Sequence, residues 1–131
     1  MRILIVDDDY VSRTKLSNLL AAYGQCDNAP NGEIAVKLFE VAHKELVPYD
    51  LITMDIVMPN MTGQDTVQAL RAIEKKVCLT AEKETKILMV TGTRSPKDIL
   101  SSYYEGCNGY LTKPYNLNDV QKALADLGIQ A

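Results

Sequence analysis

The sequence predicts an α/β fold, a parallel sheet with helices on both faces, and three observations lead there. Short apolar runs alternate five times with stretches of helical periodicity, the order that a parallel sheet requires. Three of those runs, Ile3 to Val6, Leu51 to Met54 and Ile87 to Val90, are unbroken, as strands covered on both sides should be. The 131 residues fit a single domain, 1–131, long enough to bury a core without disulfides or a structural metal.

Arg2 to Val6 is the first strand, stopped by Asp7-Asp8-Asp9. Val11, Leu16, Leu19, Leu20 and Tyr23 come next, mostly at helical spacing, and Gly24 stands where a C-cap belongs. Gln25 to Ala29 is a weak strand at best. Asn31-Gly32 turns the chain into a second helix with an apolar face of Ile34, Leu38, Val41 and Ala42, and Pro48 ends the connection to the strand Leu51 to Met54. Pro59 and Gly63 break the chain after that strand, and Val67, Leu70 and Ile73 make a third helical face. From Lys75 to Lys86 the chain is charged and patternless, which predicts an extension of that helix and then a surface loop. Ile87 to Val90 is the next strand, closed by Thr91-Gly92. Ser95 as N-cap and Pro96 at the first helical position open a helix carrying Ile99, Leu100, Tyr103 and Tyr104. Of the two adjacent tyrosines one should pack and the other face outward, as helix flank or as a partner surface. Gly109 to Thr112 is the last strand, ended by Lys113-Pro114. Asn116 then caps a helix with Leu117, Val120, Leu124 and Leu127 on one side, which Gly128 ends.

Composition narrows the function. With 47% hydrophobic and 24% charged residues the chain is globular rather than disordered. A net charge of -3 and a pI near 5.1 offer no basic patch to a nucleic acid. No apolar run approaches the roughly 18 residues of a membrane span. The opening run meets three aspartates, unlike a secretory signal. A cytoplasmic protein with no nucleic-acid or membrane partner is expected. Cys26, Cys78 and Cys107 match no zinc spacing and read as free thiols. His43, the sole histidine, reads as a solvated side chain near a helix end rather than a ligand.

The chemistry lies at the strand ends. In an open parallel sheet the crevice beyond the carboxyl ends of the strands is where ligands sit. Asp7 and Asp8 follow the first strong strand, Asp55 the third, Thr91 the fourth and Lys113 the last, so these residues converge. Singly, each has a plain explanation as turn former, helix cap or solvated charge. Together they crowd three carboxylates, which at about 4 Å would repel by about 4 kcal/mol per pair at an effective dielectric near 20. One lysine cannot offset that, and a divalent cation can. All-oxygen ligation favours magnesium, or manganese, over zinc. A carboxylate beside a cation, a lysine and a hydroxyl suits a phosphoryl group, whose oxygens each can hold.

These residues match a known pattern. Val6-Asp7-Asp8, the block from Met54 through Asp55, Met58-Pro59 and Met61 to Gly63, Val90-Thr91-Gly92, and Gly109-Tyr110 with Lys113-Pro114 occur in an order and spacing that resemble the receiver domain of bacterial two-component response regulators. The resemblance covers nearly the whole chain and implies a stand-alone, chemotaxis-regulator-like receiver. The fold it implies is flavodoxin-like and doubly wound, with five flanking helices and strand order 2-1-3-4-5; that order comes from the resemblance and not from the residue pattern. Asp55 would accept the phosphoryl group from a sensor histidine kinase or a histidine phosphotransfer protein. Asp8 and Asp55 would ligate magnesium directly, Asp7 through water, with the backbone carbonyl of Val57 completing the set. Lys113 would pair with the phosphoryl oxygens, Thr91 would move to bond one, and Tyr110 would turn inward. That would change the face made by the fourth helix, fifth strand and fifth helix, and so signal to a downstream effector. The Lys113-Pro114 bond would be cis. Gly92 would leave space for the phosphoryl group beside Thr91, and Asp9 would start the helix from outside the site.

Two positions tune phosphoryl lifetime in that family, here Val57 and Thr93. Val57 cannot hold a hydrolytic water, so slow self-dephosphorylation is expected. The Lys75 to Lys86 connection is a few residues longer than the family norm. Two other readings differ in class. A phosphatase working through an aspartyl phosphate usually carries an acid two residues after its nucleophile, where this chain has Val57. A pseudo-receiver would have lost an acid or the lysine, and none is lost.

Overall fold

The computed structural model describes residues 1–77, 83–92 and 95–130. In chain order the elements are β1 (Arg2–Val6), α1 (Tyr10–Leu20), β2 (Gln25–Ala29), α2 (Gly32–Lys44), β3 (Leu51–Met54), α3 (Gly63–Lys76), β4 (Lys86–Thr91), α4 (Pro96–Glu105), β5 (Gly109–Thr112) and α5 (Leu117–Asp126). The strands are parallel throughout and lie in the order β2-β1-β3-β4-β5. One register row, Ala29, Val6, Met54, Met89 and Tyr110, crosses the whole sheet. That row ends β1, β2 and β3, while β4 and β5 run two residues further, to Thr91 and Thr112; the carboxyl ends of all five strands face one way, so the residues just beyond them share one edge. No helix among the described residues is long and apolar enough to cross a membrane.

Alternation along the strands builds two cores. Leu4, Val6, Ile52, Met54, Ile87 and Met89 pack under Ala35, Phe39 and Ala42 of α2 and Val67 and Leu70 of α3. Ile3, Ile5, Leu51, Leu88, Val90 and Leu111 pack under Leu16 and Leu20 of α1 and Val120 and Leu124 of α5. Each fully buried Leu, Ile or Phe contributes about 1.5–3 kcal/mol relative to exposure. The helices start where polar caps place them. Asp9, Asn31 and Thr62 accept from the backbone N–H of Ser12, Ile34 and Asp65, and Asn116 and Asp119 form a reciprocal capping box.

Several expectations need correction. The segment Gln25 to Ala29 is a full strand, held at the sheet edge by β1 despite its polar sequence. α1 ends at Leu20, and Gly24 is no C-cap: a Cβ there would run into the carbonyl of Met1, so close backbone approach calls for the glycine. Val11 is exposed, leaving Leu16 and Leu20 as that helix's buried pair. In α2 the buried face is Ala35, Phe39 and Ala42, while Ile34 and Val41 lie open. α4 buries only Ser102; Leu100 and Tyr104 are open and Tyr103 is about half exposed, at 47%. Ser95 and Pro96 hold the N-cap and first helical positions, without a side-chain capping bond. Leu117 is exposed and outside the core face of α5.

The end of α3 and the approach to β4 hold more order than their charged composition suggests. The helix extends to Lys76, as expected, but Glu74 is buried at 1% exposure. Arg71 Nη1 donates to Glu74 Oε1 at 2.6 Å and to the carbonyl of Thr85 at 2.9 Å, Nε to the carbonyl of Gly106 at 3.0 Å, and Nη2 to Asn108 Oδ1 at 2.8 Å. Glu74 Oε2 accepts from the N–H of Thr85 at 2.8 Å. One guanidinium thus ties α3 to the approach to β4 and to the α4–β5 connection. Residues 78–82 of the longer connection lie outside the described residues, Cys78 among them, as does Thr93. His43 is partly buried, its ring 4.7 Å from that of Phe39 and its Nε2 enclosed, rather than solvated.

Candidate functional site

Asp55 follows β3 directly, and its N–H donates to the carbonyl of Val6 at 3.0 Å, so the acid is fixed to the end of the neighbouring strand. It is 9% exposed. The turn beyond it is tight: Asn60 takes a positive φ of 69°, which asparagine tolerates, and the N–H of Gly63 reaches the carbonyl of Ile56 at 2.8 Å. A Cβ on Gly63 would strike the carbonyl oxygen of Asp55, so glycine is what lets α3 begin against the acid.

Asp7 is held from several directions. Its Oδ1 accepts from the N–H of Asp9 at 2.9 Å, its Oδ2 from Lys113 Nζ at 3.1 Å, and its backbone carbonyl from Arg13 Nη1 at 2.7 Å. Asp8, next in the chain, is exposed. Lys113 reaches back from the end of β5, its N–H bonded to the carbonyl of Thr91 at 2.8 Å and its Nζ 3.6 Å from Asp55 Oδ2. The Lys113-Pro114 bond is cis. Asp7, Asp8 and Asp55 each offer a carboxylate oxygen, and the three lie within 4.8 Å of one another. Such a set of hard oxygen donors fits magnesium or manganese.

The charges perturb one another. Burial pushes the Asp55 carboxyl above its ordinary range; Lys113 opposes that, and Asp7 and Asp8 add to it. Burial pulls on the Lys113 ammonium in the opposite sense, but Asp55 and Asp7 win and hold its pKa above the usual value. The site is thus over-supplied with negative charge and keeps its one lysine protonated.

Thr91 is the last residue of β4 rather than just past it, 1% exposed and in register with Thr112. A Cβ on Gly92 would meet nothing within 4 Å, so there is open space at Gly92 itself, next in the chain after the buried Thr91. Tyr110, in register with Met89, packs partly against the α2/α3 core; burial first, and then Asp98, Cys107 and Asp55, push its phenol up to about 12. Val57 is 73% exposed, and its backbone N–H beside the Asp55 carboxyl opposes the upward push of burial there. Asp9 is the N-cap of α1. Asp7, Asp8, Asp55 and Lys113 come together at one edge, and Thr91 stands at the end of the intervening strand, its carbonyl bonded to the Lys113 N–H. Arg13 was missed: it sits six residues after Asp7, where the first turn of a helix faces back over its own entry loop, and that spacing was its signal. A cavity of about 740 Å³, lined in part by Met1, Tyr49 and Leu127, lies at the opposite end of the strands and has no part in this chemistry.

Comparison with known proteins agrees with this geometry. Residues 3–125 match the response regulator receiver domain family. The chain is 33% identical over 117 residues to the chemotaxis protein CheY of Pseudomonas aeruginosa, covering 88% of this chain and 86% of that one. It is 30% identical over 122 residues to the transcription factor SKN7 of Saccharomyces cerevisiae, covering 93% of this chain but only 18% of that protein. Among solved structures, the co-crystal of the Saccharomyces cerevisiae histidine phosphotransfer signaling protein Ypd1 with the receiver domain of its downstream response regulator Ssk1 contains a similar chain. The TM-score is 0.80 at 27% identity, covering 95% of this chain and 86% of that one. The chain belongs to the response regulator receiver domain family, the signalling domains of two-component phosphorelays.

Proposed function

We propose that Asp55 is the residue that accepts the phosphoryl group, and that residues 1–131 work as one receiver unit in the cytoplasm. The observation that carries this reading is the acid cluster of Asp7, Asp8 and Asp55 closed on one side by Lys113, 3.1 Å from Asp7 and 3.6 Å from Asp55. An Asp55 carboxylate oxygen attacks the phosphorus of a donor phosphohistidine, the P–N bond breaks, and the imidazole leaves with the electron pair. Lys113 exchanges part of its contact with the carboxylates for the phosphoryl oxygens, and the Thr91 hydroxyl donates to another of them. A magnesium ion, or manganese in its place, held by Asp7, Asp8, Asp55 and the carbonyl of Val57 would neutralise the charge that gathers there. The chain catalyses only its own phosphorylation and dephosphorylation.

Phosphorylation adds about -1.5 to -2 charges at neutral pH. Movement of Thr91 toward them leaves room for Tyr110, on the adjacent strand, to turn inward and remodel the α4-β5-α5 face for a downstream effector protein. The donor is a sensor histidine kinase or a histidine phosphotransfer protein, and Tyr10, Val11, Val57 and Leu117, all exposed on the elements around the acidic mouth, supply apolar surface for it. Val57, apolar and open, gives no hydrogen bond to a hydrolytic water, so the phosphoryl group should decay slowly. The test is transfer from a phosphorylated histidine phosphotransfer protein. Label should pass to the wild type and not to Asp55→Asn; equal labelling of both would place the acceptor elsewhere.

A further inference from the structure

The exposed Asp8 has to be presented by the loop that carries it, and that loop is gripped at one point by a residue outside the acid cluster. Asp7 is 6% exposed, and its carbonyl is the first beyond β1, past the last carbonyl the strand uses. Arg13 Nη1 donates to it at 2.7 Å, a charge-assisted bond from the first turn of α1 back to the turn that leads into it. The Asp9 N–H and Lys113 Nζ hold the Asp7 carboxylate, and the Asp7 N–H donates to the carbonyl of Ala29 at 3.2 Å; Arg13 is the side chain that holds the Asp7 carbonyl. Arg13 is itself steadied by the Tyr10 ring, 5.7 Å from its guanidinium carbon.

We propose that Arg13 is a positioning residue for divalent-cation binding: by fixing the Asp7 carbonyl it sets the backbone of the Asp7-Asp8-Asp9 turn, and with it the direction in which Asp8 is offered. This rests on reading the three acids as a magnesium site. Arg13 touches neither ion nor phosphoryl group; it acts through the turn, as partners behind metal ligands commonly do. Without it a buried carbonyl loses its donor, the turn relaxes, and the carboxylates spread to relieve their repulsion. Lys15, on the same helix and with the same charge, sits over the Tyr115 ring at 4.6 Å and makes no bond to the turn, so it separates position from plain field.

The test is magnesium titration of the unphosphorylated chain, followed by the amide signals of Asp8 and Asp55. Salt of roughly 0.15 M screens exposed charges beyond about 8 Å. Arg13→Met should raise the half-saturating magnesium concentration by roughly tenfold, Arg13→Lys should recover part of that loss, and Lys15→Met should leave the value unchanged. Having lost the donor to a buried carbonyl, Arg13→Met should show a lower urea midpoint than Lys15→Met, so the titrations are run without denaturant, where both variants are fully folded; a purely structural role for Arg13 would leave the half-saturating concentration there at the wild-type value. Arg13→Gln, uncharged but still an amide donor, runs beside them so that the comparison stands should the methionine variant not fold, and it too should weaken binding. Titration of Arg13→Met and Arg13→Gln at the wild-type concentration would overturn the proposal, as would equal losses in Arg13→Met and Lys15→Met. A wild type whose spectrum ignores magnesium would overturn the metal reading and the proposal with it.

Discussion

At the scale of the residue, Asp55 is placed for chemistry at the expense of stability. It is nearly buried beside two other acids, and one protonated lysine is shared among them. Asp55→Asn removes one charge from that crowd, so in metal-free buffer it should stabilise the fold by about 1 kcal/mol, as relief of strained sites commonly does. A urea midpoint at or below wild type would show that the carboxylates are not crowded. Cys107 gives a separate check on burial. Its thiol, 6% exposed, is pushed up to about 11, chiefly by desolvation, from the ordinary 9.0. The folded chain therefore holds this proton more tightly than the unfolded chain, so the stability tied to it is whole below pH 9 and is lost as pH rises toward 11. Cys107→Ala should be less stable than wild type at about pH 8, with the gap narrowing between pH 9 and 11; a constant gap would mean that the thiol is not desolvated.

At the scale of the element, what could be read from the sequence depended on whether a local pattern or a distant contact decides the outcome. The strand ends were legible because apolar runs and their breakers are local, and a parallel sheet forces those ends to one edge. The face of α2 was legible only in part: Ala42 is buried and Leu38 packs against the core, but Ile34 and Val41 lie open and Ala35 and Phe39 take their place. Ile34 and Val41 are the more apolar choice, but α2 packs close to α3 and the sheet, and Ala35 and Ala42 allow the approach while Phe39 fills the space. Nor does the last part of α3 disclose that Arg71 and Glu74 are internal, since nothing in their spacing separates a solvated pair from a buried one. Arg71→Met strands the Glu74 carboxylate and should cost about 3 kcal/mol in urea unfolding; a loss below about 1 kcal/mol would mean solvent reaches the acid. α4 buries a single residue and shows Leu100 and Tyr104 to solvent, so its amides should exchange with deuterium well before those of α2 and α3. Equal protection would contradict that loose seating.

At the scale of the whole molecule, the level row from Ala29 to Tyr110 ties the site to the surface that answers it. Asp55 follows β3 directly, Thr91 ends β4 and Tyr110 lies within β5, so a displacement at the acid has two hydrogen-bonded strands to cross before it reaches the α4-β5-α5 face. Driving such a two-state face from about 1:99 to 99:1 takes about 5.5 kcal/mol, within reach of a few charge-assisted hydrogen bonds. The most direct measurement is the amide spectrum of the chain with magnesium and beryllofluoride, a mimic of the phosphoryl group. Signals around Asp55, Thr91, Tyr110 and Lys113 should move in the wild type and stay still in Asp55→Ala. An unchanged wild-type spectrum, or the same movement in both proteins, would contradict the account.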